Sequence, residues 1–460
     1  MTGRAATMSK RNQTLGVMNG MLVNLGNTFV DPFTVLPVFI TTFGGSSVLV
    51  GFVSAAFTAG WFLPQVFVSS FVQARRRVLP IYTAAAAFRF AGFVGAGASV
   101  FWIDPAHTAT VLACVIAGLT INALAAGVAG VPFLEITSKT VPLNERGAFF
   151  AGRRVMGGVL GIVAGMVIAA VLNGDPGAMW ARTRVFRAVQ DAVEAVGLAG
   201  NAFPYDYGIL IIIGGVIATT GVVSYLFVQE PPAEHVHRPL PIRRQLEDGF
   251  AMLKRMPHYR TFLWMRAFYQ LTAMSFPFYA TFAYVRLGFS QASVGVFVSL
   301  WVAASVLSNL VWGRLLDHRG NRIVFVSTAA LSVFPPLAVL ALTTRDADPA
   351  GVVGTGLFTV VASTFLVNGF VRSGRFIANH TYLLESAPAN RRPLYVGFMN
   401  TLSFPFMLSP ILGGVVVAAF GYSALFILAA LSAIADLVAS TRLVEPRAAV
   451  RAPVDEPAAV

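Results

Sequence analysis

Asp31, Arg89, Arg266, Arg372, Arg375 and Asp436 each stand inside a long run of apolar residues. A charge is costly in hydrocarbon, so each marks either a place where a polar solute or ion is met, or one half of a neutralised pair. Asp31 lies near the middle of the run 15–43 and is followed by Pro32, which leaves a backbone carbonyl one turn back without its amide partner. A carboxyl placed there can take up and release a proton or bind a solute. Arg89 sits at similar depth in the run 78–103, so the bland alternative is an Asp31–Arg89 ion pair that only ties two helices together. Arg372 and Arg375 are three residues apart and share a helix face, the arrangement that grips an anion from one side. They can equally snorkel to lipid headgroups or pair with Asp436, and Arg266, in the first turns of its run, reads as an interfacial anchor.

Uncharged polar groups accompany these charges: Asn24 and Asn27 near Asp31, then Asn122, Gln270, Asn368 and Asn400 in later runs. Singly each is an interhelical hydrogen bond, and together they outline a polar lining. The run 261–285 adds Phe268, Tyr269, Phe276, Phe278, Tyr279, Phe282 and Tyr284, too many aromatic rings to face lipid alone. Packing accounts for some of them; an aromatic wall facing inward suits large apolar or cationic solutes.

Other chemistries are not supported. There is no Gly-x-x-x-x-Gly-Lys-Ser/Thr phosphate loop, and His235 and His237 have no partner at metal-ligand spacing. The lone Cys114 lies in an apolar run and can form no disulfide within the chain. Neither an enzyme nor a bound cofactor or metal is expected.

The elements that hold these groups follow from composition. The 460 residues are 56% hydrophobic and 12% charged, with a mean hydropathy of +0.71. Soluble domains carry about 25% charge. Repeated apolar runs of about 20 residues, the length of helix that crosses a bilayer core, predict a polytopic all-α membrane protein. Twelve spans are expected, at 15–43, 48–72, 78–103, 108–134, about 150–172, 208–228, 261–285, 293–312, 323–343, 352–371 extended toward 385, 394–420 and 422–441. The net charge of +13 concentrates in alternate loops, such as Arg75 to Arg77 and Arg314 to Arg322. That bias sets orientation and lipid contact, not nucleic-acid binding. It predicts a multi-pass protein of the inner (cytoplasmic) cell membrane with both termini cytoplasmic, and the N-terminal basic segment reads as the start of an uncleaved first helix.

The proline-rich, mixed-charge stretch 230–260 divides the chain. The expected units are an N-terminal six-helix bundle at 1–229, a cytoplasmic linker at 230–260, a C-terminal six-helix bundle at 261–443 and a cytoplasmic tail at 444–460. In the long loop 173–207, Phe186, Val189, Val193 and Val196 recur at helical spacing, which predicts an amphipathic surface helix or a docked loop.

Between the eighth and ninth spans lies Trp312-Gly313-Arg314-Leu315-Leu316-Asp317-His318-Arg319-Gly320-Asn321-Arg322. Its two glycines are expected to let the chain turn tightly, with Asp317 where a helix ends. The pattern Gly-x-x-x-Asp-x-x-Gly-x-Arg resembles the loop signature of the major facilitator superfamily of secondary transporters. An internal repeat agrees: Phe43-Gly44 and Gly51 align with Leu287-Gly288 and Gly295, and Pro142, Asn144, Arg146 and Phe149 with Pro388, Asn390, Arg392 and Tyr395. The first-half counterpart of the hairpin has Ser69 and Gln73 where the second has Gly313 and Asp317.

The resemblance implies two six-helix bundles rocking about a site near the midplane, with spans one, four, seven and ten lining it. It assigns Asp31 and Arg89 to proton coupling or substrate. It makes Asn24, Asn27, Asn122, Gln270, Tyr279, Asn368, Arg372 and Asn400 the cavity lining, and Gly313, Arg314, Asp317, Gly320 and Arg322 conformational switch residues. Glu135 would join the charged network of the neighbouring loop with Lys139 or Arg146. Proton-linked drug exporters of the superfamily often carry an acid in the first span, which points to proton-coupled export of a hydrophobic or cationic compound by a monomer in the bilayer. Their Gly-Pro-x-x-Gly-Gly element of span five is absent here, although Ser409-Pro410-Ile411-Leu412-Gly413-Gly414 resembles it in span eleven. The alternatives are uptake of a small organic anion through Arg89 with Arg372 or Arg375, and a non-transporting sensor or scaffold of the same fold.

Overall fold

The computed structural model describes residues 3–142, 145–172, 181, 183–233, 253–254, 257–344, 351–386 and 392–446. Most of the expected linker and tail, and the side chains of Gln73 and Asn400, lie outside the described residues.

Among the described residues the ordered elements are helices: α1 Gly3–Thr28, α2 Val35–Thr42, α3 Ser47–Gln73, α4 Leu79–Trp102, α5 Thr108–Thr140, α6 Arg146–Val171, α7 Arg184–Ala195 and α8 Tyr205–Leu226 come first. Then follow α9 Pro257–Ala273, α10 Phe276–Val285, α11 Ser293–Arg319, α12 Asn321–Ser332, α13 Phe334–Leu340, α14 Gly351–Ser386, α15 Arg392–Met407 and α16 Ser409–Thr441. Proline opens α4, α10, α13 and α16, where its missing amide belongs to the unpaired first turn and costs nothing. Nine helices among the described residues are long and apolar enough to cross a membrane.

That count differs from the twelve spans of the sequence for identifiable reasons. The first expected span is two helices, α1 and α2, and the seventh is α9 and α10. Pro32 and Pro277 remove amide donors at these breaks and so favour them. The eleventh expected span runs over α15 and the first part of α16, and the twelfth is the rest of α16 beyond a bend at Gly421, whose φ of +79° is reached cheaply only without a Cβ. Paired interruptions at matching positions of two repeats are the best pointer to a carrier's binding site.

The helices alternate in direction. One end of the assembly therefore carries the start of α1 and the segments 74–78, 141–142 and 320, which we term the basic end; the far end carries 43–46, 103–107 and 286–292. In the first half α1 packs on α6 and α8, and α5 on α3 and α4; in the second, α9 packs on α16, and α14 on α11 and α12. Between them α6 packs on α11 and α3 on α16. At the far end these crossings are backbone-close: a Cβ on Gly51 would strike the Pro410 carbonyl, and one on Gly165 the Gly295 carbonyl. Ser47 Oγ donates to Gly414 O at 2.9 Å across the same seam.

The cores follow the same plan. One large apolar cluster combines residues of both repeats, including Phe39, Val171, Tyr207, Phe278, Phe297 and Phe426. Two smaller clusters stay apart at the basic end, one around Tyr82, Ile136 and Tyr225 and the other around Phe262, Phe325 and Tyr382. The two repeats thus share one apolar core at the far end and keep separate cores at the basic end. The amphipathic helix expected in the long loop is α7, with Phe186 and Val193 buried against the large core; Val196 caps it and is exposed.

Candidate functional site

The break in the first span is built by Asp31. After α1 ends, Asp31 Oδ1 accepts hydrogen bonds from Phe33 N at 2.9 Å and Thr34 Oγ1 at 2.7 Å, and Leu36 N donates to Asp31 O at 3.1 Å. The carboxylate thereby supplies acceptors to the unpaired donors at the start of α2. Ser54 Oγ donates to the freed Pro32 carbonyl at 2.5 Å, which secures the break from α3. Asp31 remains partly accessible, at the depth where the shared core gives way to the divided end.

Across from it stands Arg372 of α14. Its side chain is exposed, and its guanidinium lies over the rings of Phe33 at 5.0 Å and Trp301 at 5.9 Å. Asp31 feels its charge without a contact ion pair. Phe33 and Trp301 are stacked at 6.0 Å, and Phe276 meets both edge-on, at 6.0 and 5.7 Å. Tyr269 continues this wall from Phe276 to Arg375, which lies over its ring at 4.9 Å. Phe33, Phe276 and Trp301 are themselves buried, so the cluster is packed between an acid from α1–α2 and a guanidinium from α14, and it must part to hold a planar solute's apolar body beside its charge.

Positive charge predominates on the basic side of that wall. Arg154 of α6 is exposed, lies over Phe376 of α14 at 4.0 Å, and is subject to the charge of Arg372. The His380 ring lies tilted against the same Phe376, centroids 4.3 Å apart, and is subject to the charges of Arg154 and Arg266. Among the described residues neither Arg154 nor Arg372 is in an ion pair. Two exposed like charges from opposite repeats therefore lie near one another, Arg154 over the ring of Phe376 one turn from Arg372.

The expected Asp31–Arg89 pair is not formed. Arg89 is buried and turned toward α5, where its Nε donates to Asn122 Oδ1 at 3.2 Å, with Tyr82 in its field. Asn122 is buried in that contact and Asn368 is also buried, so neither presents an open lining surface. Tyr279 is core as well: it stacks on Phe426 at 5.3 Å and its hydroxyl accepts from Ser275 Oγ at 3.1 Å. Asn24 is exposed, and Asn27 and Gln270 are partly so. Arg375 and Asp436 do pair, fully buried between α14 and α16, with Arg375 Nε and Nη1 left without partners.

At the basic end the hairpin differs from the expected tight turn. Gly313 lies inside α11, with open space where a Cβ would stand, and the chain turns only at Gly320, φ +81°. Arg314, Asp317 and Arg322 are exposed there. Arg322 N donates to Glu445 Oε2 at 2.7 Å, Arg322 Nη2 to Thr441 O at 2.6 Å, and Asn321 Nδ2 to Glu385 Oε2 at 2.8 Å. In the first repeat Glu230 holds the equivalent place, accepting from Val78 N, Leu79 N and Lys139 Nζ. Glu135 meets Lys139 at 3.3 Å, and Arg146 instead donates to the carbonyls of Ser138 and Val141.

The sequence reading passed over Phe33, Trp301, Arg154, Glu230 and Glu445 as site or latch residues. Glu230-Pro231 and Glu445-Pro446 carried a usable signal, the same dipeptide after the last span of each repeat. The aromatic partners carried none, because ring proximity across separate spans has no sequence spacing.

Comparison with known proteins agrees with this architecture. The sequence model of the Major Facilitator Superfamily matches residues 272–459. No curated protein matches the chain. Among solved structures, a D-xylose-proton symporter is similar at a TM-score of 0.66 and 12% identity, covering 95% of this chain and 98% of that one. A mutant of the nucleoside transporter NupG is similar at 0.64 and 13%, with coverage of 95% and 98%. A bacterial homologue of the lysosomal transporter Spinster, inward-facing and unoccupied, is similar at 0.63 and 13%, with 96% of both chains covered. At these identities the likeness is one of fold.

Proposed function

We propose that this chain, a secondary transporter of the major facilitator superfamily and not an enzyme, carries a small organic anion together with a proton. The observation that carries this reading is the nearness of Arg154 and Arg372, neither in an ion pair among the described residues. Like charges held close to one another repel. An anion between them turns that repulsion into two charge-assisted hydrogen bonds and draws α6 and α14 together.

In this reading the halves 1–229 and 261–443, joined by 230–260, rock about the far-end seam, and the described arrangement is open at the basic end. With the termini cytoplasmic, as the basic loops favour, that is the inward-open state. The solute's planar or apolar part lies on Phe33, Trp301 and Phe276. Asp31 takes the proton. Moving one unpaired charge against a membrane potential costs about 2.3 kcal/mol per 100 mV, and a co-transported proton cancels the charge of a monoanion. Uptake into the cell by a monomer in the cytoplasmic membrane follows from this pairing, because an inward proton gradient then drives the anion in.

Export of a hydrophobic cation is the second reading. It rests on Asp31 beside the same aromatic wall, which would face a cation well. The two separate in proteoliposomes. With an inward-directed proton gradient, the first predicts accumulation of aromatic monocarboxylates, abolished by Arg372→Ala and strongly reduced by Arg154→Ala. Lipophilic cation flux that is lost in Asp31→Ala vesicles but kept in Arg372→Ala vesicles, with no anion flux in the parent protein, would favour the second and reject the first.

A further inference from the structure

The helix α7 leaves a groove unfilled along its flank. Phe186 and Val193 anchor it to the core, yet between it and α6 a cavity of about 640 Å³ remains. Val163 and Val167 form the α6 wall, and Val185, Ala188, Val189 and Ala192 the α7 wall. Arg184, at the start of α7, is the one charged residue on the lining, and it is exposed.

Depth identifies the occupant. α6 ends at Val171, eight residues beyond Val163, so at 1.5 Å per residue the groove descends roughly 12 Å below the end of that span. The hydrocarbon layer is about 30 Å thick, which puts the groove floor at acyl-chain level and out of reach of a water-soluble partner. The α6 surface beside it, Met156, Val159 and Val163, is exposed and apolar, as a lipid-facing flank is. The guanidinium sits at the rim, where a basic side chain meets a phosphate headgroup.

We propose that this groove is a binding site for one anionic phospholipid, with an acyl chain between α6 and α7 and its phosphate on Arg184. The site is separate from the solute opening and holds whichever solute is carried. An amphipathic helix on a membrane usually covers its apolar face by lying flat on the bilayer. Here α7 is pinned to a span instead, and a lipid chain fills the space that its small side chains Ala188 and Ala192 leave.

The test is photo-crosslinking of the full chain in phosphatidylcholine vesicles containing a minor fraction of phosphatidylglycerol with a diazirine halfway along one acyl chain. Adducts are mapped by peptide mass spectrometry. The expected result is adducts concentrated on the peptides of Val163, Val167 and Val189, several-fold fewer with a phosphatidylcholine probe of the same chain. Arg184→Ala should remove the difference between headgroups. Ala188→Trp should fill the groove and lose these adducts, while labelling elsewhere around the chain persists and reports an intact fold. The proposal is overturned by adducts spread evenly around the lipid-facing surface, by adducts on 173–180 in place of α6 and α7, or by undiminished α6 and α7 labelling in Ala188→Trp. Equal labelling by the two headgroups in the parent protein overturns the anionic preference and with it the role of Arg184.

Discussion

Both carboxylate oxygens of Glu230 accept the amide of Val78, each at 2.9 Å, and Oε2 also takes that of Leu79 at 2.8 Å. A residue beyond the end of α8 thus closes the start of α4, and Lys139 Nζ at 2.9 Å balances its charge. Glu445 repeats the arrangement at Arg322 and the start of α12. The first repeat, whose loop has Ser69 and Gln73 in place of Gly and Asp, is therefore latched by the same device as the second and not left open.

Glu230→Ala removes a cap that no neighbouring side chain replaces and strands buried donors. Capping losses run at about 0.5–2 kcal/mol, and the buried amides add to that. We expect a clear fall in the thermal midpoint in detergent, larger than for Glu445→Ala, because Glu230 is buried and Glu445 half-buried. Equal midpoints for Glu230→Ala and the parent protein would show that the latch contributes nothing.

The buried Arg375–Asp436 pair is expected to behave as a unit. Removing one partner leaves an uncompensated charge in the core, at a cost of about 3–5 kcal/mol, whereas replacing both with apolar residues of similar size is often close to neutral. Arg375→Met and Asp436→Leu should each unfold well below the parent protein, and the double variant should recover most of the loss. Additive losses in the double variant, in a thermal or denaturant series, would mean that the two residues act separately.

How far the sequence reached can be judged from these charges. Their presence in apolar runs was legible because hydropathy is a one-dimensional property. Their partners were not. Asp31 and Arg89 lie at similar depth by residue count, but depth says nothing about which way a helix is turned, and Arg89 faces Asn122 instead. Pro32 and Pro277 were visible as breakers, yet the split of two spans into α1–α2 and α9–α10 also needed Asp31 and Ser275 to satisfy the freed backbone groups. The all-helical transporter-like fold was readable from loop signature and hydropathy together, while the nearness of Arg154 and Arg372 depends on packing between helices far apart in the chain.

Asp31 has two separable duties, and one substitution divides them. An asparagine keeps an oxygen that accepts from Phe33 N and Thr34 Oγ1, so Asp31→Asn should fold with near-parental stability. It can no longer carry a proton. We expect pH-gradient-driven flux to be lost while exchange of internal for external solute continues. Asp31→Ala should lose both functions and about 1 kcal/mol of stability as well. Full gradient-driven flux in Asp31→Asn vesicles would exclude this residue from coupling.

The far-end seam offers the most direct way to move the conformational balance. Gly51 meets the Pro410 carbonyl and Gly165 meets Ser299 and Gly295, so these crossings exist only while no side chain intervenes. The seam holds the two repeats together at that end, where their cores merge, and at the other end the cores are separate. Gly51→Val or Gly165→Val should pry the far end open and, by rocking, close the basic end. In a Cys114→Ala background, a cysteine replacing exposed Asn24 should then react more slowly with a thiol reagent applied from the basic side. Faster or unchanged labelling in folded variants would show that the glycines serve packing alone and that the helices do not rock about this seam.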